Sequence, residues 1–265
     1  MFYPGPVAEF DRMSSEQGWV AAGGTRVPRV MIGSSPFLGA GQFGRRAHDY
    51  YQRFFLQPDN IAQMVALAMQ QGIAGVQAVA YPPVILGVQG AAARVGAAPW
   101  CCVTVGLGDM WSELGACEVL APAAVAMHGS YTDRNLEGAL AALDRISRTS
   151  PDTLTGLATH RPGLLLPQLR PVPKQLQLLL CPFNPSGYMM EPESQRVIDE
   201  VARLRAAGVC VVAMKPLAAG AVPPSRALPY VARHCDAVAV GITDEVELTE
   251  VCRVAREIGW LAPGC

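Results

Sequence analysis

Charged side chains are scarce in this sequence. Asp, Glu, Lys and Arg make up 16% of 265 residues and almost cancel, leaving a net charge of −1. No long-range field therefore draws the chain to nucleic acid or to an acidic membrane, and neither is expected as a partner. Apolar residues reach 51%, yet no apolar stretch attains the ~18 residues that a membrane span needs. Met1 to Phe10 has no basic region followed by an apolar core. A signal peptide is therefore not expected, and the protein is expected to be cytoplasmic. The eight cysteines include no Cys-x-x-Cys pair, which speaks against a structural zinc site. Cys101, Cys102, Cys181 and Cys210 lie in apolar runs, where a reduced thiol acts as a small hydrophobe. The four histidines show no H-x-H or H-x-x-x-H spacing. A metal site made of His128, His160 and Asp109 is thus a weak alternative, and no metal is expected.

What the chain does have is an alternation of short apolar runs with segments of helical period. Eight candidate strands are Val27–Gly33, Gly75–Val79, Cys101–Val105, Ala123–Met127, Leu154–Thr159, Leu176–Cys181, Val209–Met214 and Ala237–Gly241. Helical segments follow near Asn60–Gln71, Val84–Val95, Met110–Leu120, Asn135–Ser147, Pro162–Leu169, Glu193–Ala207, Ser225–His234 and Glu245–Ile258. Continuous apolar strands alternating with helices imply a parallel sheet covered by helices. Eight such units in about 250 residues suggest an α/β protein closed into a (β/α)8 TIM barrel, one domain over residues 1–265. No G-x-G-x-x-G turn leads directly from the first strand into a helix, which weakens an open dinucleotide-binding sheet. Residues 1–26 precede the barrel as an N-terminal extension, and a hairpin plugging the barrel bottom is one form it can take.

Residues 34–58 form a long connection after the first strand, well beyond the usual two to six residues or so of such loops, which marks it as functional. Its glycines give conformational freedom. Its aromatics can close over a ligand, or Tyr50–Phe55 can form a short helix on the rim.

Active sites of such barrels lie at the C-terminal ends of the strands. Polar residues stand at almost every one of these ends: Ser34 and Ser35, Tyr81, Thr104, His128, Thr159 and His160, Asn184, Lys215 and Thr243. Ser34, Ser35 and Phe37 are candidates for contact with a small-molecule substrate. His128 and His160 can donate to a carbonyl oxygen or relay a proton, or serve as structural histidines at the rim. Lys215 can hold an anion or form a Schiff base, or pair with a carboxylate at the rim. Asp244 and Glu247 resemble a capping box at the start of the last helix. Acid there speaks mildly against a 2′-phosphate and hence against NADP.

Several of these segments resemble one branch of the aldo/keto reductases. Gly156-Leu157-Ala158-Thr159-His160 is similar to a G-x-S-x-H motif on strand five of that branch. Ala213-Met214-Lys215-Pro216-Leu217-Ala218-Ala219-Gly220 resembles its strand-seven motif, the most specific of the set. Val240-Gly241-Ile242-Thr243 resembles its strand-eight loop, and Ala126-Met127-His128-Gly129 matches the position of its strand-four histidine. The resemblance implies carbonyl reduction with NAD or NADP. It makes Tyr81, as proton donor, and His128, orienting the carbonyl, catalytic candidates beside Lys215, whose candidacy rests on its own amine. Thr159, His160 and Asn184 would contact the nicotinamide amide; Lys215, Gly220, Gly241 and Thr243 would surround the pyrophosphate and adenosine. Two departures stand out. Strand two ends Val76-Gln77-Ala78-Val79-Ala80-Tyr81, with Val76 where the family has Asp. Strand three, Val103-Thr104-Val105-Gly106, lacks the family's Lys. Tyr81 is thus deprived of the two charged neighbours that assist proton transfer. A non-redox lyase, isomerase or cyclase, or a non-catalytic ligand-binding barrel, are the alternatives that these losses leave open.

Overall fold

The computed structural model describes residues 17–263. Eight parallel strands close into a barrel: β1 (Val30–Gly33), β2 (Gly75–Val79), β3 (Trp100–Val105), β4 (Ala124–Met127), β5 (Leu154–Ala158), β6 (Leu178–Pro182), β7 (Cys210–Met214) and β8 (Ala237–Val240). Each pairs with the next in sequence, and β8 closes on β1 through Val238 opposite Val30 and Val240 opposite Ile32. This is a (β/α)8 TIM barrel.

Two-residue alternation sorts the strands into two cores. Val30, Ile32, Val76, Val103, Val125, Leu157, Leu179, Val211 and Val238 face outward and pack under the helices. Met31, Cys102, Ala124, Ala126, Leu154, Ala158, Leu178, Leu180, Cys210, Val212, Ala237 and Ala239 fill the interior. Many of the inner residues are small, so the interior closes tightly. Ahead of β1, strands Trp19–Ala22 and Thr25–Pro28 pair antiparallel, and Ala22 and Val27 join the interior core. The hairpin thus packs against the barrel interior, the form considered for the N-terminal extension; residues 1–16 lie outside the described residues.

Local sequence sets the helix limits. Pro82 and Pro83 open the helix Pro82–Val95, where a missing N–H costs nothing, and Gly96 at φ 75° ends it. Asn135 caps Leu136–Thr149 by accepting from the Gly138 N–H. Pro162–Leu169, expected as one helix, splits into a turn at Pro162–Leu165 and a 3-10 turn at Leu166–Gln168. Pro167 lacks the N–H that would continue the helix. Seven cysteines, Cys101 through Cys252, are free and buried. No helix among the described residues is long and apolar enough to cross a membrane.

Candidate active site

The C-terminal ends of the strands surround one hollow. Ser35, Gln77, Thr104, His128, His160, Lys215, Gly220, Gly241 and Thr243 line it, together with Gln42, Phe43, Arg46 and Tyr50 from the long segment after β1 and with Glu247. The hollow has a cavity volume of about 90 Å³. On the other side of His160 lies a second cavity of about 500 Å³, among Arg161, Leu164, Met189, Glu191 and Pro192.

His128 follows β4 and caps the turn Gly129–Thr132, its Nδ1 accepting from the Ser130 N–H at 3.1 Å. That bond places the proton on Nε2, which remains a donor. Burial pushes its pKa down to about 4, with His160 and then Lys215 adding like charge. His160 stands beside it, ring centroids 5.3 Å apart and nearly perpendicular. Burial and Lys215 lower its pKa too, against an opposing pull from Asp133. The Asp133 carboxylate accepts from the Thr159 hydroxyl and, at 2.9 Å, from the His160 backbone N–H. It thereby ties the loop after β4 to the end of β5.

Lys215 ends β7 in the left-handed region at φ 53°, followed by Ala218 at 46° and Ala219 at 57°. Three non-glycine residues so placed store backbone strain of the kind that gathers at ligand sites. Burial lowers the Lys215 pKa to about 8, and its ammonium donates to the Gln42 side-chain oxygen.

The segment after β1 is ordered by its own aromatic cluster. Two 3-10 turns, Pro36–Leu38 and Gly41–Phe43, lead into helix Arg46–Tyr50 and a π turn Tyr51–Phe55. Phe37 and Phe54 are buried against each other at 5.1 Å, and Phe43 meets Tyr50 edge-on. The segment reaches across the hollow to the loops after β7 and β8. Besides Gln42 on Lys215, Arg46 donates to the Ala219 carbonyl at 2.9 Å. A Cβ on Gly220 would stand 2.9 Å from the Arg46 guanidinium, and one on Gly241 would stand 2.8 Å from Pro36 Cγ. Both glycines permit the close approach of this segment. Gly39-Ala40-Gly41-Gln42-Phe43-Gly44 has G-x-G-x-x-G spacing, but it lies in this covering segment and not in a direct strand-to-helix turn.

Of the residues chosen from sequence, Ser35, His128, His160, Lys215, Gly220, Gly241 and Thr243 meet at the hollow. Five others do not line it. Tyr81 is the N-cap residue of Pro82–Val95 and packs edge-on against Phe55. Phe37 is core. The Ser34 hydroxyl is buried, accepting from the Val79 N–H. Thr159 is engaged with Asp133 and the Arg161 N–H. Asn184 donates to the Tyr188 and Lys215 carbonyls and accepts from Ser186 and the Tyr188 N–H, so its amide is fully used. The register also clarifies strand two: Val76 packs outward, and the inward polar group is Gln77, which donates to Thr104 at 3.2 Å. A neutral pair thus spans β2 and β3. A lone amide in Gly75-Val76-Gln77-Ala78-Val79 was the available signal. Nothing local in sequence marked Gln42 and Arg46, whose role depends on how the segment crosses the barrel. Asp244 accepts from the Glu247 N–H as an N-cap, but Glu247 reaches one residue further than a capping box, accepting the Thr243 N–H and hydroxyl, each at 2.8 Å. Among the described residues no three His, Cys, Asp or Glu side chains converge as a metal-binding group.

The low pKa of His128 carries a consequence for stability. Between pH 6.5 and about 4 the unfolded chain takes up a proton on His128 that the folded chain refuses. Stability is therefore expected to fall as pH drops through that window, by on the order of 3 kcal/mol from this group. Urea midpoints measured across it should fall less steeply in His128→Gln.

No protein-family model matches the chain, and no curated protein matches it in sequence. Solved structures do match in shape. An aldo/keto reductase from Brucella melitensis is 12% identical over 90% of this chain and 93% of its own, with a TM-score of 0.63. The holo form of an aldo-keto reductase from Bacillus halodurans is 13% identical over 90% of this chain and 91% of its own, TM-score 0.60. An aldo-keto reductase from Bombyx mori in complex with NADP is 12% identical over 91% and 88%, TM-score 0.59. The chain therefore has the barrel fold of the aldo-keto reductase structures.

Proposed function

We propose that this barrel binds a small carbonyl compound at the ends of β4, β5 and β7 and reduces it with NAD or NADP. The observation that carries the reading is His128, half-buried and neutral at pH 7, with Nδ1 committed to Ser130 and Nε2 left to address the hollow. The Nε2–H donates to the carbonyl oxygen. Lys215 is largely protonated at neutral pH, and its charge in the same wall favours the oxyanion as it forms. Tyr81 takes no part in proton transfer; the alkoxide takes its proton from His128 Nε2, which solvent restores.

A nicotinamide would supply the hydride. The residues as arranged do not fit a whole dinucleotide: Thr159 and Asn184 are internally bonded, and Pro36–Arg46 covers Gly220 and Gly241. The reductase reading therefore requires that segment to leave loops seven and eight. Consumption of NADH or NADPH should be followed with a panel of small aldehydes and ketones. Turnover by the wild type that is lost in His128→Ala supports the reading; no consumption with any pair refutes it.

The covered groove and the partly buried Lys215 amine favour a second reading, non-redox carbonyl chemistry through an imine on Lys215. Borohydride treatment in the presence of the same carbonyl panel would then fix a covalent adduct on Lys215, and its absence would remove this reading.

A further inference from the structure

The balance of charge in the hollow points to the class of substrate, given the reading that His128 addresses a carbonyl. An ammonium has three N–H donors. That of Lys215 spends one on Gln42, and no carboxylate among the described residues pairs with it. Glu247 lines the same hollow with one negative charge; its Oε2 accepts the Thr243 N–H and hydroxyl and so turns toward Thr243, not toward Lys215. Arg46, on the covering segment, is also without a carboxylate partner and donates to a backbone carbonyl. His128 adds a donor, its acceptor nitrogen already being used. The lining thus sets two positive groups, Lys215 and Arg46, against the single carboxylate of Glu247, and neither cation is paired with it. A partly buried charge without a counter-ion is costly, and an anion entering the site relieves that cost.

We infer that the substrate is a small carbonyl compound bearing an anionic group, carboxylate or phosphate, which Lys215 holds while its carbonyl oxygen meets His128. His160 lines both this hollow and the second cavity. In this scheme the Gln42 oxygen is a stand-in for the anion on Lys215 and yields to it. Nothing is bonded covalently and no electron moves in this step.

Matched pairs test the inference on the free protein without nicotinamide, so that failure here and failure of the reductase reading are told apart. Thermal shift and calorimetric titration should compare 2-oxobutyrate with butanone, and dihydroxyacetone phosphate with dihydroxyacetone, adding ADP-ribose as a third arm. The expected result is that at least one anionic member binds and its neutral partner does not; which pair responds identifies the anion. Lys215→Gln should weaken that binding about ten- to hundredfold, and Lys215→Arg should retain most of it. Lys215→Met without ligand should melt no lower than the wild type, because it removes an uncompensated charge. Equal binding of neutral and anionic members, binding undiminished in Lys215→Gln, or response to ADP-ribose alone would overturn the inference. A Lys215→Met protein that melts well below the wild type would overturn it too, by showing that the ammonium is a structural partner.

Discussion

Replacing His128 by Ala is expected to lower kcat/KM for carbonyl reduction by about 10²- to 10⁴-fold, the usual contribution of a positioned proton donor. Tyr81→Phe is expected to leave it unchanged. The contrast follows from placement. His128 lines the hollow, neutral, with its Nδ1 fixed by Ser130, so truncation removes the donor that addresses the carbonyl. Tyr81 stands at the start of Pro82–Val95 with its ring against Phe55. The inward groups of the two strands beside it are Gln77 and Thr104, bonded to each other and uncharged. On the proposed reductase reading, histidine and lysine take the place of tyrosine. The loss in His128→Ala should appear in kcat as well as in kcat/KM, because the bond strengthens as charge develops on oxygen. A large loss in Tyr81→Phe with His128→Ala near wild type would reverse the assignment.

The second large effect is a gain. The double substitution Gln42→Ala and Arg46→Ala should tighten NADH or NADPH binding about tenfold or more. These side chains hold the covering segment to Lys215 and to the Ala219 carbonyl. Each such hydrogen bond contributes roughly 1 kcal/mol net. Removing both raises the population of the open form by the corresponding factor, and apparent affinity rises with the competent fraction. The Phe37–Phe54 and Phe43–Tyr50 contacts remain, so the segment stays a folded unit. Fluorescence titration of the variant beside the wild type reads the effect. Unchanged or weaker binding would mean that the two side chains are not the latch, or that Arg46 itself holds the dinucleotide.

Much of the fold was legible because each strand is a short, predominantly apolar run with a helix-period segment behind it. Val209–Met214 and Ala237–Gly241 differ from the observed β7 and β8 by a single residue at an end. Strand alternation then brought Ser35, His128 and His160 into the hollow together. The failures share a cause. Which way a side chain turns at a strand end depends on tertiary partners that sequence spacing does not show. Asn184 closes its own loop at Tyr188, Thr159 turns to Asp133, and Ser34 caps the Val79 N–H. Phe37 reads as a lid aromatic until Phe54, seventeen positions on, is seen buried against it. Strand two is the sharpest case. Matching a motif put Val76 in the catalytic register, whereas the pleat puts Gln77 inside. Gln42 and Arg46 escaped because their partners lie 173 residues away.

Direct titration of the purified protein with NADH and with NADPH, read by cofactor fluorescence, tests the redox account most squarely. Saturable binding of at least one, strengthened in the Gln42→Ala, Arg46→Ala variant, is the predicted result. No binding of either up to millimolar concentration, in wild type and variant alike, would contradict it.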